Sequence, residues 1–224
     1  MKNKVVIITG SSSGIGKSCA FEFSKLGAKV VLVARSENSL KDISFKIKQN
    51  GGESIFSVAD VSVESDCERM IEETISKFGK IDILVNNAGI SMRSIFLNLD
   101  ISVFNKVMAV NFWGSVYCTK YALPYILKSN GSVVGVSSIA GYKGLPGRTA
   151  YSASKFALQG FLESLRIENL KNKLHVLIIC PGFTNSNIRK KALQGDGSQQ
   201  GESPRSEQKM MSSEKVAVEM INAI

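Results

Sequence analysis

The chain has little of the chemistry that metal sites and disulfide frameworks need. Its 224 residues include one histidine and four cysteines, and the cysteines are widely scattered with no CxxC pair. Because this spacing matches no metal-ligand pattern, we expect no metal site. Reduced, buried thiols are the simplest interpretation of the four cysteines. The one histidine, His175, opens a predicted strand, and we assign it no catalytic role.

Long apolar segments are also missing. No run approaches the ~18 residues that a membrane span requires, so we expect none. Since the first predicted strand starts at residue 5, we also expect no signal peptide and a cytoplasmic location. The net charge is +9, but the basic residues are dispersed and no nucleic-acid motif accompanies them. We therefore expect a solvated basic surface and no nucleic-acid partner.

What the chain does have is a regular alternation of strand and helix patterns. Its length and its 44% hydrophobic content suit one domain over residues 1–224. Strands are predicted at residues 5–8, 29–34, 54–58, 81–86, 132–137 and 175–180. Helices are predicted at residues 14–26, 37–50, 64–78, 101–109, 112–129 and 150–170. This order predicts an α/β fold, a single doubly wound parallel-sheet (Rossmann-type) domain with strand order 3-2-1-4-5-6.

Three glycines separate the first strand from the first helix. Gly10, Gly14 and Gly16 follow a continuous apolar run and have the spacing GxxxGxG. Glycines let a backbone approach a pyrophosphate, and a helix N-terminus offers free N–H groups and a positive dipole end. The order of strand, loop and helix therefore predicts an anion site, although the glycines alone would also fit a flexible turn.

Tyr151 and Lys155 are four residues apart in the sequence YSASK, so they share one face of a helix. A free phenol titrates near pH ~10, and a nearby ammonium favours the phenolate and lowers that pKa. Ser138 lies thirteen residues before Tyr151. The pair predicts an acid/base site.

In its motifs the chain resembles the short-chain dehydrogenase/reductases along nearly its whole length. The matching pieces are TGSSSGIG at 9–16, NNAG at 86–89, Asn111 in VNFWG, Ser138, the Tyr151/Lys155 pair and Pro181-Gly182. The stretch SSIAGYKGLPGRTAYSASKFALQGF is most similar to the hydroxysteroid-dehydrogenase-like branch.

The resemblance implies a catalytic set of Asn111, Ser138, Tyr151 and Lys155. Tyr151 would be the acid/base, and Ser138 would hydrogen-bond the substrate oxygen that becomes charged. Lys155 would hold the nicotinamide ribose, and Asn111 would support a water relay behind it. The neighbouring Ser137 is equally available by composition, and the thirteen-residue spacing of the family selects Ser138.

The cofactor would lie along the carboxyl ends of the strands. The predicted cofactor-binding residues are Gly10, Ser12, Ser13, Gly14, Ile15, Gly16, Arg35, Ser36, Asp60, Val61, Asn87, Ala88, Gly89, Tyr151, Lys155, Pro181, Gly182 and Thr184.

Cofactor choice depends on the end of the second strand. An NAD-preferring site places a carboxylate there, but this chain has Ala34 followed by Arg35, which can pair with a 2′-phosphate. We therefore expect NADP(H). The Asp60 carboxylate would accept from the adenine amine or compete with Ser62 as a helix cap. Asn86 would brace neighbouring strands.

The predicted substrate contacts are Ser138, Leu145, Tyr151 and Phe183, covered by a mobile lid over residues 185–213. The predicted function is NADP(H)-dependent interconversion of a carbonyl and a secondary alcohol on a small, hydrophobic, steroid-like or lipid-like substrate. Two alternatives stay open, a 3-oxoacyl-[acyl-carrier-protein] reductase and a non-catalytic NADP(H)-binding sensor or scaffold.

Two helices are more apolar than packing on a sheet requires. The predicted helices 112–129 and 150–170 carry apolar residues on more than one face, so we expect a homodimer or homotetramer. A final helix is predicted to start at Ser212 or Ser213. The family continues beyond such a helix, so a C-terminal strand is expected to be absent or truncated here.

Overall fold

The computed structural model describes residues 1–202 and 210–224. Six parallel strands form one sheet in the order β3-β2-β1-β4-β5-β6, which confirms the predicted fold class and strand order. The strands are β1 (Val5–Thr9), β2 (Lys29–Ala34), β3 (Glu53–Val58), β4 (Ile83–Asn86), β5 (Ser132–Val136) and β6 (His175–Ile179). All residues of β1, β4 and β5 are buried, as expected for parallel strands with helices on both faces.

Seven α-helices lie in the described ranges. They are α1 (Gly14–Lys25), α2 (Glu37–Gln49), α3 (Glu64–Phe78), α4 (Ile101–Met108), α5 (Gly114–Lys128), α6 (Thr149–Glu168) and α7 (Ser213–Asn222). Helices α3, α5 and α6 pack into the hydrophobic core on one face of the sheet. Helices α1, α2 and α7 pack into the core on the other face. The side chain of Ser212 caps α7 by accepting from Lys215 N at 3.1 Å, which confirms the predicted start.

Two predicted boundaries differ from the structure by two residues. The fourth strand is assigned from Ile83 rather than from residue 81, and just before it the Asp82 carboxylate accepts from Val5 N at 2.8 Å and from Lys4 Nζ at 2.9 Å. The helix predicted from residue 112 begins as α5 at Gly114, because Ala109–Trp113 form a π-helical turn that continues directly from α4.

Candidate active site

A cavity of about 440 Å³ opens at the carboxyl ends of the strands. It brings together residues from both ends of the chain, as expected for a doubly wound sheet. Every predicted cofactor, catalytic and substrate residue lines it except Gly16 and Asn111. Those that line it are Gly10, Ser12, Ser13, Gly14, Ile15, Arg35, Ser36, Asp60, Val61, Asn87, Ala88, Gly89, Ser138, Leu145, Tyr151, Lys155, Pro181, Gly182, Phe183 and Thr184.

The glycine loop at one end of the cavity is shaped for an anion. Gly10 and Gly14 have φ values of +67° and +54°, which side-chain-bearing residues rarely adopt. Ser13 occupies the N-cap position of α1 without capping it, and the first turn holds no acidic residue. The first-turn N–H groups are therefore left to a ligand, and this donor set fits a pyrophosphate.

Gly16 has a packing role instead of lining the cavity. A Cβ there would collide with the Gly10 carbonyl oxygen and lie 2.5 Å from Asn87 Nδ2. Glycine at this position therefore lets α1 pack closely against the loop that follows β4.

Thr9, at the end of β1, joins the glycine loop to the loop after β4. Its hydroxyl oxygen accepts from Asn87 N and from Ala88 N, both at 3.0 Å, and donates to Val85 O at 3.2 Å. Asn87 Nδ2 donates back to Thr9 O at 2.8 Å and to Gly10 O at 3.3 Å. This bracing role of Thr9 was not predicted from the sequence.

Tyr151 and Lys155 lie on successive turns of α6 and face the cavity together. Lys155 is buried, and its Nζ lies 5.9 Å from the centre of the Tyr151 ring and donates to Val136 O at 2.8 Å. Burial lowers the pKa of Lys155 to about 8, although the nearby Cys180 thiol opposes the shift.

The pKa of Tyr151 differs from the expectation. Burial raises the pKa, while the nearby Ser138 hydroxyl and the charge of Arg148 act in the opposite direction. The expectation that Lys155 lowers this pKa is wrong for the protein without cofactor. The physical reason is that desolvation of the phenolate outweighs the nearby charges, and the Lys155 ammonium is directed to the Val136 carbonyl.

Asn111 lies in the π-helical turn, fully buried behind the cavity. Its Oδ1 accepts from Ile90 N at 2.8 Å, and its Nδ2 donates to Ile90 O at 2.9 Å and to Ser154 Oγ at 3.0 Å. Asn111 thus fixes the chain after Gly89 against α6. The water relay assigned to it stays a prediction.

The two neighbouring serines after β5 have different surroundings. Ser137 Oγ donates to Lys155 O at 3.4 Å and accepts from Gln159 Nε2 at 3.0 Å, so its hydroxyl is used to anchor α6. Ser138 Oγ accepts from Ala140 N at 3.2 Å and interacts with Tyr151. The geometry therefore places Ser138, rather than Ser137, beside the phenol.

Arg35 and Asp60 form an ion pair in the cavity lining, after the ends of β2 and β3. Arg35 Nη1 lies 3.6 Å from Asp60 Oδ2, and the Arg35 side chain is 65% exposed. Asp60 Oδ1 accepts from Ser62 N at 3.0 Å and Ser62 Oγ at 2.7 Å. Burial alone would raise the pKa of Asp60, but the Ser62 bonds and the Arg35 charge outweigh it and hold that pKa below its usual value.

Two smaller expectations near this end are corrected. Ser62 does not cap α3, because Val63 occupies the N-cap position and Ser62 is held by Asp60. Asn86 donates through Nδ2 to Thr119 Oγ1 at 2.9 Å, so it braces β4 against α5 rather than against neighbouring strands.

The family model described as short chain dehydrogenase matches residues 4–197. The chain belongs to the short-chain dehydrogenase family. It is 44% identical over 197 residues to 11-beta-hydroxysteroid dehydrogenase 1A of Arabidopsis thaliana, a match that covers 87% of this chain and 56% of that protein. It is 41% identical over 187 residues to 11-beta-hydroxysteroid dehydrogenase A of Sesamum indicum, covering 83% and 53%. The match therefore spans little more than half the length of these curated relatives.

Two solved structures have the same fold. An alcohol dehydrogenase from the archaeon Thermococcus sibiricus, complexed with 5-hydroxy-NADP, superposes with a TM-score of 0.88 at 23% identity, covering 98% of this chain and 89% of that one. A short chain dehydrogenase/reductase from Burkholderia phymatum in complex with NAD gives 0.89 at 24% identity, covering 99% and 85%. At this identity the likeness concerns the fold alone.

The substrate side of this short-chain dehydrogenase includes side chains that were not predicted. Arg148, three residues before Tyr151, lines the cavity and donates through Nη1 to Ser91 Oγ and to Met92 O, both at 2.6 Å. Arg189 and Lys191 also line it. Neither belongs to a motif, so only the folded chain reveals them.

The predicted lid of this short-chain dehydrogenase is described only in part. Residues 203–209 of the range 185–213 lie outside the described residues. In the described part Leu193 is buried, donates through its N–H to Ser91 O at 2.9 Å and accepts from Arg93 N at 2.7 Å. The mobility of the lid stays a prediction.

In residues 1–202 and 210–224, helices that combine the length and the apolar character of a membrane span are not found. The same ranges contain no group of three His, Cys, Asp or Glu side chains able to hold a metal ion.

Proposed function

We propose that the chain is an NADP(H)-dependent oxidoreductase that interconverts a carbonyl and a secondary alcohol. The supporting observation is that Ser138, Tyr151 and Lys155 line the same cavity as the glycine loop. The nicotinamide cofactor, when bound, supplies or accepts the hydride. The residues that would hold it are those of the glycine loop, the loop after β4 and the start of the 181–184 segment.

The protein's part in the reaction is proton transfer and polarisation. The raised pKa of Tyr151 keeps its phenol protonated at neutral pH, so that it can donate to a carbonyl oxygen. Ser138 is beside that hydroxyl and can hydrogen-bond the same oxygen as negative charge develops on it. Lys155, whose Nζ donates to Val136 O beside the Tyr151 ring, would hold the nicotinamide ribose.

The preference for NADP(H) is supported by the end of β2. Arg35 lines the cavity directly after Ala34, and no carboxylate occupies the place where an NAD-preferring site has one. The planar guanidinium suits a 2′-phosphate. The Arg35–Asp60 pair is long and largely exposed, so exchanging it for a phosphate contact would cost little.

A hydrophobic substrate is supported by the apolar side chains around Tyr151. Ile90, Ile139, Leu145, Phe183 and Ile188 line the cavity. The curated relatives carry hydroxysteroid dehydrogenase names. Both observations favour a steroid-like or lipid-like ketone or alcohol over a 3-oxoacyl chain on a carrier protein.

The experiment that tests this proposal is a substrate screen with NADPH and NADP⁺, followed by nicotinamide absorbance. Steroid and medium-chain ketones and alcohols are compared with 3-oxoacyl thioesters. Turnover of the ketones above the thioesters supports the proposal, and the reverse order supports the carrier-protein alternative. NADPH binding without turnover of any compound would favour the sensor or scaffold.

We also propose a homodimer or homotetramer of this chain, each subunit a single domain. Trp113 and Phe156 are 47% and 46% exposed, one beside α5 and one on α6. Phe112 joins the two helices, with its ring 5.4 Å from Trp113 and 6.4 Å from Phe161. Such an exposed aromatic cluster fits an isologous interface. Sedimentation at micromolar concentration tests it, and a single 24.3 kDa species would contradict it.

A cytoplasmic location is part of the same proposal. It is supported by the free thiols of all four cysteines. Cys67 and Cys118 lie with their sulfur atoms 3.6 Å apart and unbonded in the core, as expected for a reducing compartment.

A further inference from the structure

The cavity carries an excess of positive charge. Among the described residues that line it, five have cationic side chains and one has a carboxylate. The carboxylate is Asp60, which lies with Arg35 at the adenosine end. Three of the other cations, Arg148, Arg189 and Lys191, belong to the loops of the substrate side. A cation at a partly apolar cavity wall is stabilised when a ligand brings the opposite charge.

Of the three cations on the substrate side, Arg148 is the one whose charge acts on Tyr151. It immediately precedes α6, three residues before Tyr151, and each of the two side chains alters the pKa of the other. Its Nη1 makes both hydrogen bonds to the loop after β4, to Ser91 and Met92. Within residues 1–202 and 210–224, its Nη2 and Nε have no hydrogen-bond partner and no carboxylate pairs with it.

The surroundings of Arg148 favour the binding of an anion. Burial lowers its pKa, and the charges of Arg93 and Arg189 act in the same direction. The first turn of α6 adds its positive dipole end and contains no acidic residue. A charge that is partly desolvated among like charges is stabilised when an anion joins it.

The cofactor does not account for this cation. The glycine loop and the α1 N-terminus provide the donor set for a pyrophosphate, and Arg35 provides one for a 2′-phosphate. Arg148 instead contacts Ser91 and Met92 and lies beside the phenol that would donate the proton.

We infer that the substrate is an anionic one, a hydrophobic carbonyl or alcohol compound that bears a carboxylate, and that Arg148 receives the carboxylate through the Nη2 and Nε edge. This inference rests on the proposed function for the reaction at Tyr151, but the binding step can be measured without turnover. It divides the relevant substrates into oxo or hydroxy acids, which fit, and neutral sterols, which leave Arg148 without its counter-ion.

Calorimetric titration with octanoate and with octanamide, a neutral analogue of similar shape, tests the inference. Both are titrated into the protein saturated with NADPH and again without cofactor. A charge-assisted bidentate pair predicts that octanoate binds at least about tenfold more tightly than octanamide. Equal affinities in the unmodified protein would overturn the inference.

Three variants identify the residue. Arg148→Gln should weaken octanoate at least about tenfold and leave octanamide unchanged. Arg148→Lys should keep part of the preference, because it preserves the charge. Lys46→Gln, which removes an equal charge from an exposed position of α2, should keep all of it. An undiminished preference in Arg148→Gln would also overturn the inference.

Folding and function are controlled separately. NADPH affinity is measured for each variant as a control for folding. If Arg148→Gln fails to bind NADPH, Arg148→Lys is compared with the unmodified protein instead. An unchanged preference of Arg148→Lys for octanoate over octanamide would then count against Arg148. If no oxo acid or ketone is reduced although NADPH and octanoate both bind, the proposed reaction is wrong while the anion site stands.

Discussion

The two ends of the cavity offer different donors to the ligands that we propose. At the proposed cofactor end they are backbone N–H groups of the glycine loop and the α1 N-terminus, next to the contacts between Thr9 and Asn87. At the proposed substrate end they are long side chains, of which Arg148 is the most defined. A backbone site admits one kind of ligand, whereas a side-chain site can be changed one residue at a time.

Helix α6 joins the two ends. Tyr151 and Lys155 lie between the cofactor loops and the substrate loops, and Lys155 Nζ is anchored to β5 through Val136 O. A substitution on α6 should therefore reveal which end each side chain serves, because binding of NADPH and turnover of substrate can be measured independently.

Tyr151→Phe should separate the two ends most strongly. It removes the proton and keeps the ring, so carbonyl reduction should fall by about 10²–10⁴-fold while NADPH affinity is preserved. Steady-state kinetics and fluorescence titration of NADPH measure the two effects. Near-full turnover in this variant would mean that another acid donates the proton.

Ser138→Ala should have the next largest effect. Loss of a hydrogen bond to the developing charge predicts a fall in kcat of about 10²-fold with little change in NADPH affinity. Ser137→Ala is the matched control, since its hydroxyl serves α6 through Lys155 O and Gln159 and should affect kcat less. Equal losses in the two variants would contradict the assignment.

Lys155 should contribute to the pH dependence of the free energy of unfolding. Its pKa is about 8 in the folded protein and near the ordinary 10.5 in the unfolded chain. Between these values the unfolded chain binds more protons, so the free energy of unfolding should rise with pH, by at most about 3 kcal/mol. Lys155→Met should lack this rise.

Urea unfolding of the two proteins at about pH 8 and about pH 10 measures the difference. Other groups that titrate in this window are present in both proteins, so the difference between them isolates Lys155. If the free energy of unfolding changes equally with pH in the two proteins, burial does not destabilise the Lys155 ammonium in the folded state.

Arg35→Ala should have the smallest effect and should act at the cofactor end alone. NADPH is expected to bind about 10- to 100-fold more tightly than NADH, which corresponds to roughly 1.5–3 kcal/mol for a charge-assisted pair. In the variant most of this difference in affinity should disappear, because NADPH binds more weakly while the affinity for NADH stays nearly unchanged. Equal affinities in the unmodified protein would remove the basis for the NADP(H) proposal.

The same division explains what the sequence could predict. The cofactor end lies in contiguous motifs, such as the glycines between β1 and α1, where each residue type follows from its local backbone. The bracing by Thr9 was missed, because its partners Asn87 and Ala88 lie nearly eighty residues away in the chain.

The substrate end depends on contacts between loops that the sequence does not pair. Arg148 lies next to a recognised motif, yet its partners Ser91 and Met92 are more than fifty residues away. The predicted direction of the Tyr151 pKa shift was wrong for a related reason. Desolvation of the phenolate depends on everything packed around the phenol and not on the sequence spacing to Lys155.

The π-helical turn Ala109–Trp113 makes the number of residues there as important as their identity. Such a turn holds one residue more than an α-helical turn would. Deleting one residue would allow α4 and α5 to merge into a regular helix, but it would rotate one of them by about 100° relative to the other. Asn111 would then turn away from Ile90 and Ser154, or α5 would turn its buried face out of the core. A single-codon deletion in this turn should therefore be more damaging than any substitution at its exposed positions.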